Sequence, residues 1–311
     1  MILEPWNNKE LIGYNNFFLY LKVLFDNKKL PNKIIFSGNK GIGKSTLAYH
    51  LTNYIFSLDE NNKYDFKQNL INNDNSSFKY IINNSHPNFF LISNNLENSN
   101  SQISKVRELI NFTNKSSFNN SFKIIIIDNV ELMNASSVNA LLKLVEEPNE
   151  KILFFLIHNN NKNIINTLQS RCIKFKMFID KTIKEEIINK YLDSEFYNNL
   201  NYDFKYDYIT PGDIFSLHLF FKENDINEKI SIEDLLKLVL ENKYFKKDLF
   251  VKNNLNFFVE LFFIKKFNYY NSKDKIYNLY KYFISKLNNT QKYNLDMESV
   301  LIELNRKFVN G

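Results

Sequence analysis

Short apolar runs alternate with amphipathic stretches over the first 177 residues of the chain. Five of the runs are rich in Ile and Phe: Lys33 to Ser37, Phe89 to Ile92, Lys123 to Ile127, Ile152 to Ile157 and Cys172 to Lys176. Strands that are buried on both faces of a parallel sheet have this composition. The pattern therefore predicts five parallel strands.

The stretches between these strands carry apolar residues at helical spacing. They are Lys44 to Phe56, Ser104 to Phe112, Ala135 to Glu147 and Asn163 to Leu168. Pro148 follows the third stretch and is expected to end it, because proline disrupts a helix interior. Strands and helices in this alternation are typical of βα units. We expect a doubly wound α/β domain.

The β pattern fades after Met177, and the remaining chain indicates helices. Predicted helices cover Lys181 to Tyr191, Asp213 to Phe221, Ser231 to Leu240 and much of the chain from Asn256 onward. The polar stretch Lys222 to Glu228 is the expected boundary between two helical regions. The pattern predicts three domains, with bounds 1–177, 178–225 and 226–311.

Composition excludes some classes of protein and leaves others open. The formal charge of +6 fits an anionic partner such as nucleic acid without requiring one. Cys172 is the only cysteine, which rules out an internal disulfide and a zinc module built from cysteines. Neither a leader peptide nor a membrane span is expected, so the predicted location is cytoplasmic.

Residues 38–45 carry the strongest chemical signal in the chain. They read Gly38-Asn39-Lys40-Gly41-Ile42-Gly43-Lys44-Ser45, with Thr46 next, and they lie between a predicted strand and a predicted helix. A P-loop needs this context, because glycines let backbone amides surround phosphates at a helix N-terminus. We expect Lys44 to reach the β- and γ-phosphates and Ser45 to ligate Mg²⁺.

Asp128 directly follows the buried strand Lys123 to Ile127. A carboxylate in that position can hold the Mg²⁺ of a nucleotide bound at the loop, which is the Walker B arrangement. An aspartate after an apolar strand is more often a turn or cap residue. The P-loop upstream favours the metal interpretation.

A family resemblance emerges from the segments that follow. Asn134-Ala135 and the run Asn139-Ala140-Leu141-Leu142-Lys143-Leu144-Val145-Glu146-Glu147-Pro148 resemble bacterial clamp-loader subunits of the AAA+ family, and residues 154–172 resemble their sensor 1 segment, which ends at Ser170-Arg171-Cys172. Leu11-Ile12-Gly13 is similar to the family's segment near the adenine. The resemblance covers most of residues 1–177, and it extends to the delta-prime branch of the family around Leu30 to Tyr49.

The resemblance implies a fold and an assembly. The fold is an α/β P-loop AAA+ domain, a small helical lid and an all-α C-terminal collar, to which Val300 to Leu304 would belong. The implied cofactors are ATP and Mg²⁺. The implied partners are other clamp-loader subunits (gamma/tau and delta), primer-template DNA in the assembled complex and, indirectly, the sliding clamp; no membrane is involved. Arg171 would be an arginine finger that acts on the ATP site of a neighbouring subunit.

Some residues depart from the catalytic pattern of the family. Asn129 stands where active subunits carry the glutamate that orients water, and an amide cannot act as a general base. Asp213, in Thr210-Pro211-Gly212-Asp213, stands where the sensor 2 arginine is often found. Glu131 lies two residues further on and is assigned no catalytic role. Hydrolysis by this chain is therefore expected to be weak or absent.

Two residues compete for the sensor 1 position, and other functions stay open. Either His158 or Asn159 could contact a γ-phosphate, and the spacing back from Ser170 favours Asn159. Arg171 could instead be a structural arginine paired with a carboxylate. A self-sufficient AAA+ motor would need a base that the sequence does not reveal. A P-loop kinase would usually need lid arginines, which residues 172–305 lack.

Overall fold

The computed structural model describes residues 4–93, 99–146, 151–160, 162–269, 273–293 and 295–309. The chain forms two compact units, Met1–Ile187 and Ile188–Gly311. Within the described ranges, no helix combines the length and the apolar character that crossing a lipid bilayer requires.

The first unit contains a five-stranded parallel sheet. The strands are β1 (Lys33–Gly38), β2 (Phe89–Ser93), β3 (Lys123–Asp128), β4 (Ile152–Asn159) and β5 (Ile173–Lys176). Their spatial order is β2-β3-β4-β1-β5, and every neighbouring pair is parallel. All five predicted strands are confirmed, with ends that differ by one or two residues. The phosphate-loop strand β1 lies between β4 and β5.

Helices surround this sheet. They are α1 (Asn15–Asp26), α2 (Lys44–Phe56), α3 (Ser76–Ile82), α4 (Ser99–Asn114), α5 (Ala135–Glu146) and α6 (Asn166–Gln169). The next helix, α7 (Lys181–Tyr191), begins in the first unit and ends in the second. Helices α2 and α7 have the predicted bounds, α4 begins five residues before the predicted start, and α6 is shorter than predicted. Glu147 and Pro148, at the predicted end of α5, lie outside the described residues.

The strands separate two hydrophobic cores because successive side chains of a strand point to opposite faces. Ile34 and Phe36 of β1 join the core that contains residues of α1, α2 and α3. Ile35, between them, joins the core that contains residues of α4 and α5. Strands β3 and β4 alternate in the same way. The apolar runs of the sequence are therefore continuous because both faces of the sheet are covered.

The second unit is helical. Its helices are α8 (Ser194–Asn199), α9 (Pro211–Glu223), α10 (Ile232–Glu241), α11 (Tyr244–Lys247), α12 (Leu249–Tyr269), α13 (Lys273–Tyr293) and α14 (Met297–Val309). One hydrophobic core includes buried side chains from Ile188 to Leu304, among them Phe204 and Phe258. The predicted division into a lid and a collar near residue 225 stays a prediction.

Candidate functional site

The phosphate loop joins the end of β1 to the start of α2, and its glycines are required by the backbone path. Gly41 and Gly43 have φ angles of 82° and 88°, a region that is costly for residues with a Cβ. A Cβ on Gly38 would lie 2.5 Å from the carbonyl oxygen of Met177. The loop therefore turns tightly at the carboxyl end of β1.

Lys44 is the first residue of α2, and its side chain is folded back over the loop. Its ammonium donates to the carbonyl oxygens of Gly38 at 3.0 Å and Asn39 at 2.5 Å. A third hydrogen bond runs to Oδ1 of Asn159, at 2.8 Å. Only 3% of Lys44 is exposed, and this burial lowers its pKa to about 8, although the nearby carboxylates act in the opposite direction.

Ser45 and Asp128 meet beside this lysine. Ser45 follows Lys44 on α2, Asp128 is the last residue of β3, and the Ser45 hydroxyl donates to Asp128 Oδ1 at 3.5 Å. Burial raises the pKa of Asp128, and the hydrogen bond from the Asn129 backbone N–H acts in the opposite direction. A hydroxyl and a carboxylate are oxygen ligands of the kind that Mg²⁺ prefers. Thr46 follows, half-buried, in the first turn of α2.

Asn159 lies at the centre of the polar contacts around the loop. It ends β4, and its backbone pairs with Gly38 in the parallel register of β1 and β4. Its Nδ2 donates to Asn129 Oδ1 at 2.6 Å, and its backbone N–H donates to Glu131 Oε2 at 3.2 Å. Glu131 is half-buried, and its carboxylate binds the backbone at the end of β4.

His158 points elsewhere, since neighbouring strand residues face opposite sides of the sheet. Its Nδ1 lies 2.8 Å from the Ser37 hydroxyl, and its Nε2 lies 2.9 Å from the carbonyl oxygen of Lys162. Of the two candidates for the sensor 1 position, the structure brings Asn159 to Lys44.

The contacts of Ser37 and Tyr14 were not recognised in the sequence. The Ser37 hydroxyl also lies 3.3 Å from Asn160 Oδ1, and the Tyr14 hydroxyl donates to the carbonyl oxygen of Ile42 at 2.8 Å. Ser37 could have been recognised as a contact residue because it is a polar residue at the end of an apolar strand. Tyr14 comes from a part of the chain 28 residues upstream and carries no local signal.

The side chains around the loop fit a nucleoside polyphosphate with Mg²⁺. The loop has the left-handed glycines that let backbone amides turn towards an anion, and Lys44 supplies a cation among them. Ser45 and Asp128 would hold the metal ion. When bound, the metal would neutralise phosphate charge, and the residues of this chain would bind and orient the phosphates.

A cavity of about 690 Å³ lies next to the loop. Its lining includes Leu11, Ile12, Gly13, Tyr14, Met177 and Ile183. Tyr14 and Met177 also contact the phosphate loop, through Ile42 and Gly38 respectively. The cavity is of a size that binds small molecules.

Arg171 lies near the amino-terminal ends of the strands, whereas the phosphate loop lies at their carboxyl ends. It precedes β5, whose first residue, Ile173, pairs with Ile34 near the start of β1. The phosphate loop begins at Gly38, four residues after Ile34 on β1. At the usual rise of a strand, Gly38 is about 13 Å from Ile34. The structure therefore does not bring Arg171 to the phosphate loop of its own chain.

The guanidinium of Arg171 is held by exposed groups. It pairs with Glu146 Oε1 at 2.7 Å and donates to the carbonyl oxygen of Thr167 at 2.7 Å. The side chains of Arg171 and Glu146 are 38% and 52% exposed, so the ion pair contributes little to stability. Cys172, beside it, is half-buried, and burial raises the pKa of its thiol to about 11.

Asp213 in the second unit caps a helix. Thr210 and Asp213 form a capping box at the start of α9, with Asp213 Oδ2 accepting from the Thr210 backbone N–H at 3.0 Å. Thr210 Oγ1 accepts in turn from the Asp213 backbone N–H at 3.2 Å. The residue that stands at the expected sensor 2 position thus stabilises the start of its own helix.

Comparison with known families agrees with this arrangement. The family described as "DNA polymerase III, delta subunit" matches residues 14–180, which include the whole sheet and the phosphate loop. Among solved structures, the fold is similar to a DNA polymerase III gamma subunit-related protein from Thermotoga maritima, with a TM-score of 0.50. The match covers 91% of this chain and 96% of that protein, and at 14% identity it supports the fold alone.

Curated relatives carry two subunit names. The chain is 28% identical over 190 residues to the DNA polymerase III subunit gamma of Buchnera aphidicola from Acyrthosiphon pisum, a match that covers 61% of this chain and 49% of that protein. It is 27% identical over 237 residues to the subunit delta' of Buchnera aphidicola from Baizongia pistaciae, covering 72% and 66%. The chain thus spans less than two thirds of the length of either relative.

Proposed function

This chain belongs to the DNA polymerase III delta subunit family of clamp-loader proteins, and on that premise we propose that it is a delta-prime-type subunit. In this proposal it binds ATP with Mg²⁺ weakly or as a structural ligand and supplies Arg171 to the ATP site of a neighbouring subunit. Its partners are the gamma/tau and delta subunits, with primer-template DNA in the assembled complex and the sliding clamp as an indirect partner. The location is cytoplasmic.

The polar groups around the phosphate loop support nucleotide binding. Lys44, Ser45, Asp128 and Asn159 come from α2, β3 and β4 and meet at one edge of the sheet. The adjoining cavity, which Leu11, Ile12 and Gly13 help to line, has room for the base. These residues bind and orient the nucleotide in the proposal.

Weak hydrolysis follows from the residues next to Asp128. Asn129 carries an amide, which cannot accept a proton from water. The Glu131 carboxylate accepts a hydrogen bond from the Asn159 backbone, so it already has a structural role. In the proposal, neither group serves this chain as a general base.

The position of Arg171 is the observation that carries the proposal. Arg171 is exposed and precedes the edge strand β5, at the end of the sheet away from its own phosphate loop. A guanidinium in that position can stabilise phosphoryl charge only in another molecule. Its partner Glu146 is also exposed, so exchanging that ion pair for a phosphate contact costs little.

The test compares ATP turnover by the purified chain with turnover by the reconstituted clamp loader. The loader would carry the wild-type chain, Arg171→Ala, or Arg107→Ala as the matched control, because Arg107 is an exposed arginine on α4. We expect the isolated chain to be inactive and Arg171→Ala alone to slow the loader, by about 10³-fold or more at the site it serves. A loader that is indifferent to Arg171→Ala would disprove the finger role.

A catalytically active, gamma/tau-like motor is the second candidate. The similarity to relatives named gamma is as high as the similarity to those named delta'. Rapid turnover by the isolated chain, abolished by Lys44→Ala, would favour this motor.

A further inference from the structure

The contact with Lys44 determines how the side-chain amide of Asn159 is oriented. An ammonium only donates, so the atom of Asn159 that faces Lys44 is the acceptor Oδ1. The Nδ2 of the same amide therefore points away from Lys44 and donates to Asn129 Oδ1 at 2.6 Å. Lys44, Asn159 and Asn129 form a chain of hydrogen bonds in which each residue donates to the next.

This orientation is unfavourable for a phosphate beside Lys44. Phosphate oxygens accept hydrogen bonds, and the edge of Asn159 that faces Lys44 presents an oxygen. For Asn159 to donate to a terminal phosphate there, its amide must turn over. That rotation breaks the bond to Asn129 and places two amide oxygens opposite each other unless the Asn129 amide turns over as well.

We propose that Asn129 is a positioning residue that holds the Asn159 amide turned away from the nucleotide and so weakens the preference of this site for triphosphates over diphosphates. The inference rests on the proposed nucleotide site. Breaking the Asn129–Asn159 bond is a cost of using Asn159 as a donor to the terminal phosphate. A diphosphate lacks that phosphate and avoids the cost.

The backbone of Asn129 offers a clean way to test this role. Its φ and ψ angles are 51° and 52°, in the left-handed region where asparagine and glycine are both tolerated. Asn129→Gly therefore removes the side-chain amide, and glycine adopts the left-handed backbone conformation without strain. Asn84 also has a positive φ, of 50°, and follows α3, so Asn84→Gly is the matched control.

The experiment measures the affinities of the full chain for Mg-ADP and for a non-hydrolysable Mg-ATP analogue by calorimetry. We expect Asn129→Gly to increase the triphosphate preference, expressed as a ratio of dissociation constants, by about fivefold, the usual worth of one hydrogen bond. Asn84→Gly should leave the ratio unchanged. Adding Asn159→Ala should abolish the effect of Asn129→Gly, because Asn129 acts through that amide.

Several results would overturn the inference. One is an unchanged ratio in Asn129→Gly, or in Asn129→Ala if the glycine variant does not fold. Another is an increase in triphosphate preference in Asn129→Gly that persists when Asn159→Ala is added. If the wild-type chain binds neither nucleotide, the proposed nucleotide site fails and the inference fails with it. An unchanged ratio in a chain that binds both nucleotides overturns the inference alone.

Discussion

The ammonium of Lys44 donates to Oδ1 of Asn159 at 2.8 Å, although 115 residues separate them in the chain. The contact exists because β1 and β4 are parallel neighbours and Gly38 pairs with Asn159 where both strands end. The end of β4 and the loop that follows β1 therefore face the same space. A phosphate at the loop must take Lys44 away from this amide and from two backbone carbonyls.

Nucleotide binding should take up protons above pH 8. Burial lowers the pKa of Lys44 to about 8 in the free chain, and a bound phosphate would favour the charged form. At pH 8.5, calorimetry in two buffers of different ionisation enthalpy should therefore show uptake of roughly half a proton or more. Lys44→Arg should show none, because arginine stays charged. Equal uptake by both chains would contradict this role of Lys44.

Two glycine substitutions in the loop should destabilise the chain for different reasons. Gly38→Ala places a Cβ 2.5 Å from the Met177 carbonyl oxygen and 2.7 Å from Ile42 Cδ1, an overpacking that costs about 1–3 kcal/mol. The new Cβ in Gly43→Ala meets only Tyr14 Cε2, at an ordinary contact distance of 3.6 Å, but the φ of 88° costs about 1–2 kcal/mol. Chemical denaturation would measure both free energies of unfolding.

Ile42→Val distinguishes the two causes. It removes the Cδ1 atom that a Cβ on Gly38 would meet, and so it should recover part of the loss in Gly38→Ala. It should recover nothing in Gly43→Ala, where the cost lies in the backbone. Equal recovery in both variants would show that the clash does not explain the effect of Gly38→Ala.

Arg171→Ala should barely change the stability of the isolated chain. The ion pair of Arg171 with Glu146 is exposed, and exposed pairs contribute at most about 1 kcal/mol. Glu146→Gln keeps the shape of the partner side chain, and it should change the thermal unfolding temperature as little as Arg171→Ala does. A loss well above that value for Arg171→Ala would indicate a structural arginine and weaken the finger proposal.

Acid should destabilise the chain through His50. This residue is buried between the Tyr64 hydroxyl and the carbonyl oxygen of Asn8, and burial lowers its pKa to about 3. The unfolded chain binds the proton near pH 6.5, so stability falls as the pH drops from 6.5 towards 3. The loss attributable to His50 should reach about 2 kcal/mol by pH 5.

The matched measurement is the free energy of unfolding of wild type and His50→Gln at pH 7 and pH 5. Glutamine does not titrate. The difference in free energy of unfolding between wild type and His50→Gln should therefore change by about 2 kcal/mol between pH 7 and pH 5. A difference that stays constant would show that His50 is not the group responsible.

Local pattern was sufficient for much of the fold. The five strands were predictable because each is a mostly apolar run, as expected where helices cover both faces of a parallel sheet. Helix α2 was predictable because the P-loop determines where it starts. Helix α4 was underestimated at its start, where Ser99 to Ile103 offer little apolar periodicity.

Local pattern was insufficient where a side chain has more than one possible partner. The spacing back from Ser170 favoured Asn159 over His158 but did not show what either side chain contacts; the pleat of β4 sends His158 to Ser37 and Asn159 to Lys44. Asp213 was interpreted as the loss of an arginine, whereas the structure gives it a capping role that Thr210, three residues earlier, signals.

The sequence by itself determined the phosphate loop, the metal-ligand candidates Ser45 and Asp128, the strands and the family. These features depend on the residue types within short segments, which the order of the chain specifies directly. Only the tertiary structure decided that Asn159 links Lys44 to Asn129 and that Arg171 lies at the far end of the sheet. Both depend on the strand order and on the register of parallel strands, which arise from packing between segments distant in the chain.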